Sequence, residues 1–355
     1  MSSISENLLA KSAEPEVRAL PVSDEPRWDA FVGSHPDGTV FHSARWTAAI
    51  RRAFGHETTI FVAEREGEIV GGVPLTHVRS RLFDHALVSN GFAVQGGILA
   101  DDTATRTALD AAALGLGRRL GVDFVEYRHE RPVCADRPRR DDLYATFRKP
   151  IASDDETNLK RIPRKQRAMV RKAVNKGLTS RLADDVATLY DIYALSVRNL
   201  GTPVFTKRFF EELKHCFGEA CQILVVMHED RPVAAVMSFR DGRVIRPYYG
   251  GGTAAARGLA ANDFMYWEVM RRARAEGCDT FDFGRSKVGS GAYDFKKNWG
   301  FTPVPLCYEY ALLKANSVPE TNPTNPKYRA AIALWKRLPV AVTKWIGPPI
   351  ARGLP

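Results

Sequence analysis

A chain of 355 residues with 45% hydrophobic content is long enough for two domains that each bury a core, and too apolar for an extended disordered protein. Its net charge of +10 points to an anionic partner: phosphate, a membrane surface or nucleic acid. Five cysteines (Cys134, Cys216, Cys221, Cys278, Cys307) contain no Cys-x-x-Cys pair, which argues against a disulfide framework and a cysteine-held zinc site. No run approaches the length of a membrane-spanning helix, and the first residues lack a basic segment followed by an apolar one. The expected location is therefore the reducing cytoplasm, at most against the inner face of the membrane. Nucleophile-elbow, Walker, His-Glu-x-x-His and EF-hand patterns are absent from the sequence, so hydrolase, ATPase and metal readings have no support and no metal is expected.

In chain order, residues 1–25 are polar and read as a mobile segment, with Pro26 marking entry to the folded part. Trp46, Ile50 and Phe54 recur four apart and predict a helix capped by Ser43. Trp46 is a candidate pocket residue as well as a packing one. Two runs, Thr59 to Ala63 and Glu68 to Leu75, flank Glu66-Gly67 and predict a hairpin. The pattern returns at Ile223 to Met227 and Pro232 to Phe239, around Glu229-Asp230. Each hairpin leads to glycines (Gly96-Gly97; Gly250-Gly251-Gly252), a helix (Thr105 to Leu120; about Ala261 to Glu276) and a strand (Gly121 to Tyr127; Gly277 to Phe283). The shared order implies two copies of one β-β-α-β unit, and a groove between duplicated domains is a common place for a site.

Between the copies, residues 160–176 carry eight Lys or Arg and no carboxylate. Arg164, Arg167 and Arg171 share a helix face after Pro163 and form a candidate phosphate grip. A solvated surface helix is the plain alternative. No RNA-reading motif or interleaved aromatic platform accompanies them, so sequence-specific DNA binding and direct base readout are not expected.

The second copy carries the chemistry, because the first copy, after Tyr127, has no counterpart to the segment beyond Phe283. There, Gly284 stops a strand and a cationic, glycine-rich turn runs from Arg285 through Ser286 and Lys287 to Gly291. A short helix then bears Tyr293, Phe295 and Lys296 before Trp299-Gly300. Upstream, Tyr248 and Tyr249 end a strand at Gly250-Gly251-Gly252; with Tyr293 they are candidate pocket hydroxyls. Thr206 reads as a helix cap, and Asn262 as a cap or a pocket residue. Phe264, Trp267, Met270 and Ala273 form the inward stripe of the next helix. Asp282 is a candidate to orient an amine or take its proton, or else to hold Arg285.

The run Asp282-Phe283-Gly284-Arg285-Ser286, then Phe295-Lys296 and Trp299-Gly300, resembles the Fem-type peptidyltransferase branch of the GNAT acyltransferase superfamily. With Arg198-Asn199-Leu200-Gly201-Thr202-Pro203-Val204-Phe205 it is most similar to the FemAB-like proteins of exopolysaccharide and exosortase (PEP-CTERM) systems. The resemblance spans roughly Ala30 to Leu313. It implies an α/β (α+β) fold of two tandem GNAT-like domains, each a mixed, mostly antiparallel sheet flanked by helices.

The expected divisions are 26–150 for substrate binding and support, 151–180 as a basic connecting helix, 181–315 as the catalytic domain, and 316–355 as a linker with an amphipathic tail. The implied activity is acyl or aminoacyl transfer to an amine of a cell-envelope or exopolysaccharide precursor. Lys296 would stabilise the tetrahedral oxyanion, with Asp282 and Tyr293 assisting. Arg285, Ser286, Lys287, Tyr248, Tyr249 and Phe295 would contact substrate. The implied partners are a phosphate-bearing or lipid-linked saccharide and an aminoacyl-tRNA, acyl-CoA or other activated donor, with no permanently bound cofactor.

The acyl-CoA fingerprint Gln/Arg-x-x-Gly-x-Gly/Ala would begin at Ala255, with Gly258 and Ala260 as its last members, so its first side chain is wrong and acetyl-CoA is disfavoured as donor. Two rival readings remain: a scaffold that binds a phosphorylated polysaccharide precursor without turnover, and an acetyl-CoA-dependent N-acetyltransferase. Beyond a Pro/Asn/Thr linker at Pro319 to Pro326, Ile332, Trp335, Leu338, Val342, Trp345 and Ile346 alternate with Arg329, Lys336, Arg337 and Lys344. This tail either lies on an anionic membrane or docks on the chain's own domains.

Overall fold

The computed structural model describes residues 14–80, 83–319 and 326–354, the last stretch with side chains from residue 330 on. Its contacts group into two units. In the first, β1 (Glu16–Ala19), α1 (Glu25–Ser34), α2 (Ala44–Phe54), β2 (Thr58–Arg65), β3 (Glu68–Arg79), β4 (His85–Ser89), β5 (Leu99–Ala100), α3 (Thr103–Leu120), β6 (Phe124–His129) and β7 (Arg139–Arg140) follow one another. Ser43 caps α2 as its spacing predicts, accepting from the Trp46 amide at 3.3 Å.

In the second unit come β8 (Tyr144–Pro150), α4 (Asp155–Arg161), α5 (Arg164–Asn175), β9 (Thr179–Ala183), α6 (Ala187–Leu200), α7 (Lys207–Phe217), β10 (Cys221–His228), β11 (Arg231–Asp241) and β12 (Val244–Gly252). They continue with α8 (Ala256–Leu259), α9 (Ala261–Ala275), β13 (Thr280–Asp282), β14 (Ser286–Lys287), α10 (Gly291–Asn298) and β15 (Thr302–Pro305). A last strand, β16 (Cys307–Leu312), belongs to the first unit, and two tail helices, α11 (Pro326–Trp335) and α12 (Val340–Ala351), to the second.

Both predicted hairpins form, and their turns explain themselves. Glu66 and Gly67 take φ of 51° and 84°, Glu229 and Asp230 φ of 48° and 58°: two successive left-handed residues, whose twist matches the strands they join. The first sheet runs β1-β2-β3-β4-β6-β16-β7 and the second β9-β10-β11-β12-β13-β8-β14, so the two orders correspond strand for strand. In each, an antiparallel meander ends in one parallel pair, β4 with β6 and β12 with β13. Helix α3 connects the first of these pairs and α9 the second. These are two mixed sheets flanked by helices, as the repeat implies.

The boundaries differ from expectation in two places. Strand β8, assigned by its position to the first domain (26–150), pairs with β13, β14 and β15 of the second sheet. Strand β16, assigned to the second (181–315), pairs with β6 and β7 of the first. The sixth strand of each sheet therefore comes from the other copy's sequence. Alternation along a strand shows which side chains face a core but not which core. Ala145 and Phe147 of β8 fill the second unit's core beside Phe281, Phe283 and Trp299. Near the N-terminus, residues 16–19 lie within the segment expected to be mobile and instead form β1. Arg18 bonds Glu64 at 2.8 Å and Asp24 at 2.6 Å, while Val17 packs against the first core. Residues 1–13 of that segment lie outside the described residues.

Helix α9 buries Phe264, Trp267, Met270 and Ala273, the predicted stripe. Its N-cap is Ala260, at φ 56°, so Asn262 lies exposed in the first turn and is not the cap. Thr206 precedes α7 without a side-chain cap bond. Residues 320–325 of the predicted linker lie outside the described residues; beyond them, α12 packs on α6. No described helix is long and apolar enough to cross a membrane.

The strand exchange predicts a unit-specific effect. Phe147→Ala, a full truncation in the second core, should cost about 3–5 kcal/mol. Hydrogen exchange should then speed up in β12 and β13 with β2 to β4 unaffected; faster exchange in β2 to β4 instead would return β8 to the first unit.

Candidate active site

The parallel pair β12/β13 is where the second sheet opens. Only Val244↔Thr280 and Ile245↔Phe281 are paired, and β12 continues from Arg246 to Gly252 with no described strand on that edge. Against β11, Met237 faces Tyr249 and Ser238 faces Pro247, so Tyr248 is an extra, bulged residue. Among the described residues the first unit shows no such edge. Its β4 keeps four pairs with β6, from Ala86↔Phe124 to Ser89↔Tyr127. The chain after Ser89 then folds back as a buried loop: the Gly96 and Gly97 amides donate to the Arg128 carbonyl at 3.3 and 3.1 Å, and Arg128 Nη1 donates to the Ala93 carbonyl at 2.7 Å. A side chain at Gly97 would collide with the His129 ring, which fixes glycine there.

Asp282 ends β13 and lies buried at the base of the opening. Arg148 of β8 donates to it at 3.0 Å, Arg246 of β12 pairs with it at 3.3 Å, and the Gly284 amide donates at 2.8 Å. Burial opposes its charge, but the Arg246 and Arg148 guanidiniums and these hydrogen bonds hold its pKa below the usual carboxylate range. A carboxylate so held is a poor proton acceptor near neutral pH, which corrects the general-base expectation. It does not hold Arg285 either. That guanidinium stacks over the Tyr144 ring at 4.4 Å.

Lys296 of α10 is buried beneath the preceding turn. Its ammonium donates to the carbonyls of Phe283 at 2.7 Å, Gly284 at 3.0 Å and Arg285 at 3.1 Å, over the rings of Phe147 and Phe283. Burial pushes its pKa down to about 7, Asp282 resists that fall and Arg285 adds to it. An ammonium has three N–H donors and all three are engaged here, so direct donation to an oxyanion requires releasing one carbonyl. The contacts are those of a clasp that shapes the turn.

Around this clasp the structure gathers several predicted residues and separates others. Gly284 sits at φ 63°, a left-handed conformation that favours glycine, and the Tyr248 ring lies in ordinary contact with the position its side chain would take. Tyr249 and Ser286 are buried, and their hydroxyls have no hydrogen-bond partner among the described residues. Burial raises the Tyr249 pKa well above its ordinary value. Lys287 pairs in β14 with Tyr144. Tyr293 is half-buried, its ring edge-on to Phe147 at 5.3 Å. Phe295 packs with Tyr266, Phe283 and Trp299, and Trp46 is fully buried in the first unit, bonded to the Gly91 carbonyl at 3.2 Å. Trp46, an expected substrate contact, is therefore a core residue, while Phe295 is half-buried against the second core.

Sequence reasoning missed Arg148 and Arg246. A lone arginine in the apolar run Val244-Ile245-Arg246-Pro247 is a signal for a buried counter-ion; Arg148 had none while β8 was assigned elsewhere. It also missed Asp263, which accepts from Trp299 Nε1 at 2.9 Å and from Gln166 at 3.4 Å, and so ties α10 and α5 to α9.

Helix α5 turns Gln166, Val170 and Ala173 inward and its cations outward. A hollow of about 780 Å³ runs along it, lined by Arg164, Arg167, Ala168, Arg171, Lys172, Asn175 and Lys176. Among the described residues no carboxylate pairs with these cations, whereas Lys160 just before the helix pairs with Glu156. No three His, Cys, Asp or Glu side chains gather as a metal site among the described residues.

The chain thus holds a duplicated mixed sheet with one opened parallel pair. Residues 164–297 match the acetyltransferase (GNAT) domain family. No curated protein matches the chain. By structure it is similar to FemX, at a TM-score of 0.65 and 15% identity over 84% of this chain and 98% of that one. It is similar to a tandem GNAT protein from the clavulanic acid biosynthesis pathway, at 0.53 and 13% over 86% and 100%. It also resembles the C-terminal domain of a protein described as a putative lysylphosphatidylglycerol synthetase from Agrobacterium fabrum, at 0.54 and 14% over 88% and 95%. These likenesses establish the fold of tandem GNAT-like domains.

Two measurements check the electrostatics. Asp282→Asn leaves two arginines facing a neutral amide and should cost about 3–5 kcal/mol in urea unfolding. Asp279→Asn, at an exposed pair with Arg243, should change little; equal effects would deny Asp282 its role. Because the folded pKa of Lys296 lies below its unfolded value near 10.5, the unfolded chain binds more protons between the two. Wild-type stability relative to Lys296→Met should therefore rise as pH climbs from about 7 toward 10.5, and a flat difference would contradict the burial of an ionisable amine.

Proposed function

We propose that the chain transfers an acyl or aminoacyl group to an amine of a cell-envelope or exopolysaccharide precursor, at the free edge of β12 in the second unit. The observation that carries this reading is the early parting of β12 from β13, which leaves backbone groups from Arg246 to Gly252 available to an extended donor laid down as an added strand. The GNAT domain match and the likeness to FemX support transfer chemistry of this class. The amine attacks the donor carbonyl, its lone pair forming the new C–N bond while the carbonyl electrons move to oxygen. Collapse expels the carrier's oxygen or sulfur, and the amine proton passes to that leaving group or to water. Backbone N–H groups of the β12 edge are the nearest candidates for the oxyanion. Lys296 acts as a positioning residue, holding the Phe283 to Arg285 carbonyls so that Arg285 and Tyr248 face the acceptor.

An aminoacyl or other activated carrier fits better than coenzyme A. Besides the departure at Ala255, the turn into α8 uses its own amides, Ala256 and Ala260 donating to the carbonyls of Thr253 and Arg257. The likeness to the C-terminal domain of a protein described as a putative lysylphosphatidylglycerol synthetase supports the same reading. The α5 hollow would hold phosphates of the acceptor, through the fork geometry of Arg164, Arg167 and Arg171. A scaffold without turnover is favoured by one observation, the saturation of the Lys296 donors.

The test incubates the full-length protein with labelled mixed aminoacyl-tRNAs or labelled acetyl-CoA, and with amine-bearing nucleotide sugars or lipid-linked saccharides. Label should move to an acceptor from one of the donors; no consumption of either, with no rise in Tm, would leave the scaffold. In the active pair, the triple variant Arg164→Glu, Arg167→Glu, Arg171→Glu should raise KM for the acceptor roughly tenfold or more with kcat held. An unchanged KM would remove α5 from the site.

A further inference from the structure

The tail helix α12 carries an apolar face that its own fold does not use. Thr343, Gly347 and Ala351, spaced four apart, turn inward and pack on the second unit. Gly347 fits closely enough that a side chain there would come 3.1 Å from the Val204 amide nitrogen. Lys344 at the flank pairs with Asp191 at 2.5 Å and covers the Tyr190 ring. The opposite face presents Ala341, Val342, Trp345 and Pro349 to solvent, and Trp345 is 80% exposed. A docked helix with apolar residues on both sides is the pattern of an element that meets a second apolar phase.

The surrounding charge selects that phase. Residues 321–355 contain six Lys or Arg and no Asp or Glu. Lys336 and Arg337, in the link between α11 and α12, and Arg352 just past the end of α12 are exposed, as is Leu334 of α11. An outward tryptophan on a helix with exposed cations before its start and just past its end matches the headgroup region of an anionic bilayer, where the ring sits at the interface and the cations meet lipid phosphates. A second copy of this chain would bring the same excess of positive charge in residues 321–355 to the contact. Docking onto the chain's own domains is already achieved by the inner face and leaves Trp345 uncovered.

We propose that the outward face of α12 is a peripheral anchor that lies on an anionic lipid surface. The anchor does not depend on the transfer reaction, although it would bring the second unit to lipid-linked acceptors.

The test is co-sedimentation of the full-length protein with phosphatidylcholine vesicles made with and without phosphatidylglycerol. The wild type should pellet with the anionic vesicles and be released by salt. Trp345→Glu, a change at an exposed position, should keep the wild-type Tm and lose roughly tenfold or more in apparent affinity. Lys336→Glu with Arg337→Glu should weaken anionic binding without a change in Tm. The proposal is overturned if the wild type stays in the supernatant, or if Trp345→Glu pellets equally. It is also overturned if the wild type proves to be a dimer that Trp345→Glu dissolves, which would assign the face to a second copy.

Discussion

A single buried carboxylate holds the second unit's opening in place. Strand β13 is only three residues long, and Asp282 at its end reaches Arg148 on one neighbouring strand and Arg246 on the other. The charge thereby ties β8 and β12 to β13 at the point where β12 departs. Such a pair is costly to desolvate and costly to break, so its value lies in fixing register and geometry rather than in net stability. Asp282 also sustains the charge on Lys296, whose three hydrogen bonds set the backbone from Phe283 to Arg285. Opening, turn and clasp are thus one electrostatic assembly.

The same topology in the first unit leads to a different outcome. There the parallel pair is longer, and the loop after Ser89 is buried and fastened to β6 through the Arg128 carbonyl and guanidinium. Duplication supplied two similar sheets, and a buried loop follows β4 in one of them.

Much of the architecture was legible because it follows from local rules. Paired left-handed turns, period-two strands and the α9 stripe each depend on residues close in sequence, and their recurrence exposed the duplication. The destination of β8 and β16 was not legible, since Phe147 would look the same in either core. Within the site, the glycine turn and Lys296 were visible as a motif, yet the chemistry attached to Lys296 depended on carbonyls that no spacing reveals. Trp46 looked like a ligand contact for the reason that makes it a good core residue. Arg246 was present in an apolar strand and went unread, because its partner became clear only once the strands were ordered.

The central claim is that the acyl donor lies along the unpaired edge of β12. Amide hydrogen exchange across residues 246–252, with and without the donor that supports transfer, addresses it most directly. The account predicts exchange slowed roughly tenfold or more at Tyr248 to Gly252, with the buried loop after Ser89 unchanged. Unaltered exchange along β12 with donor bound, or protection confined to the first unit, would contradict it.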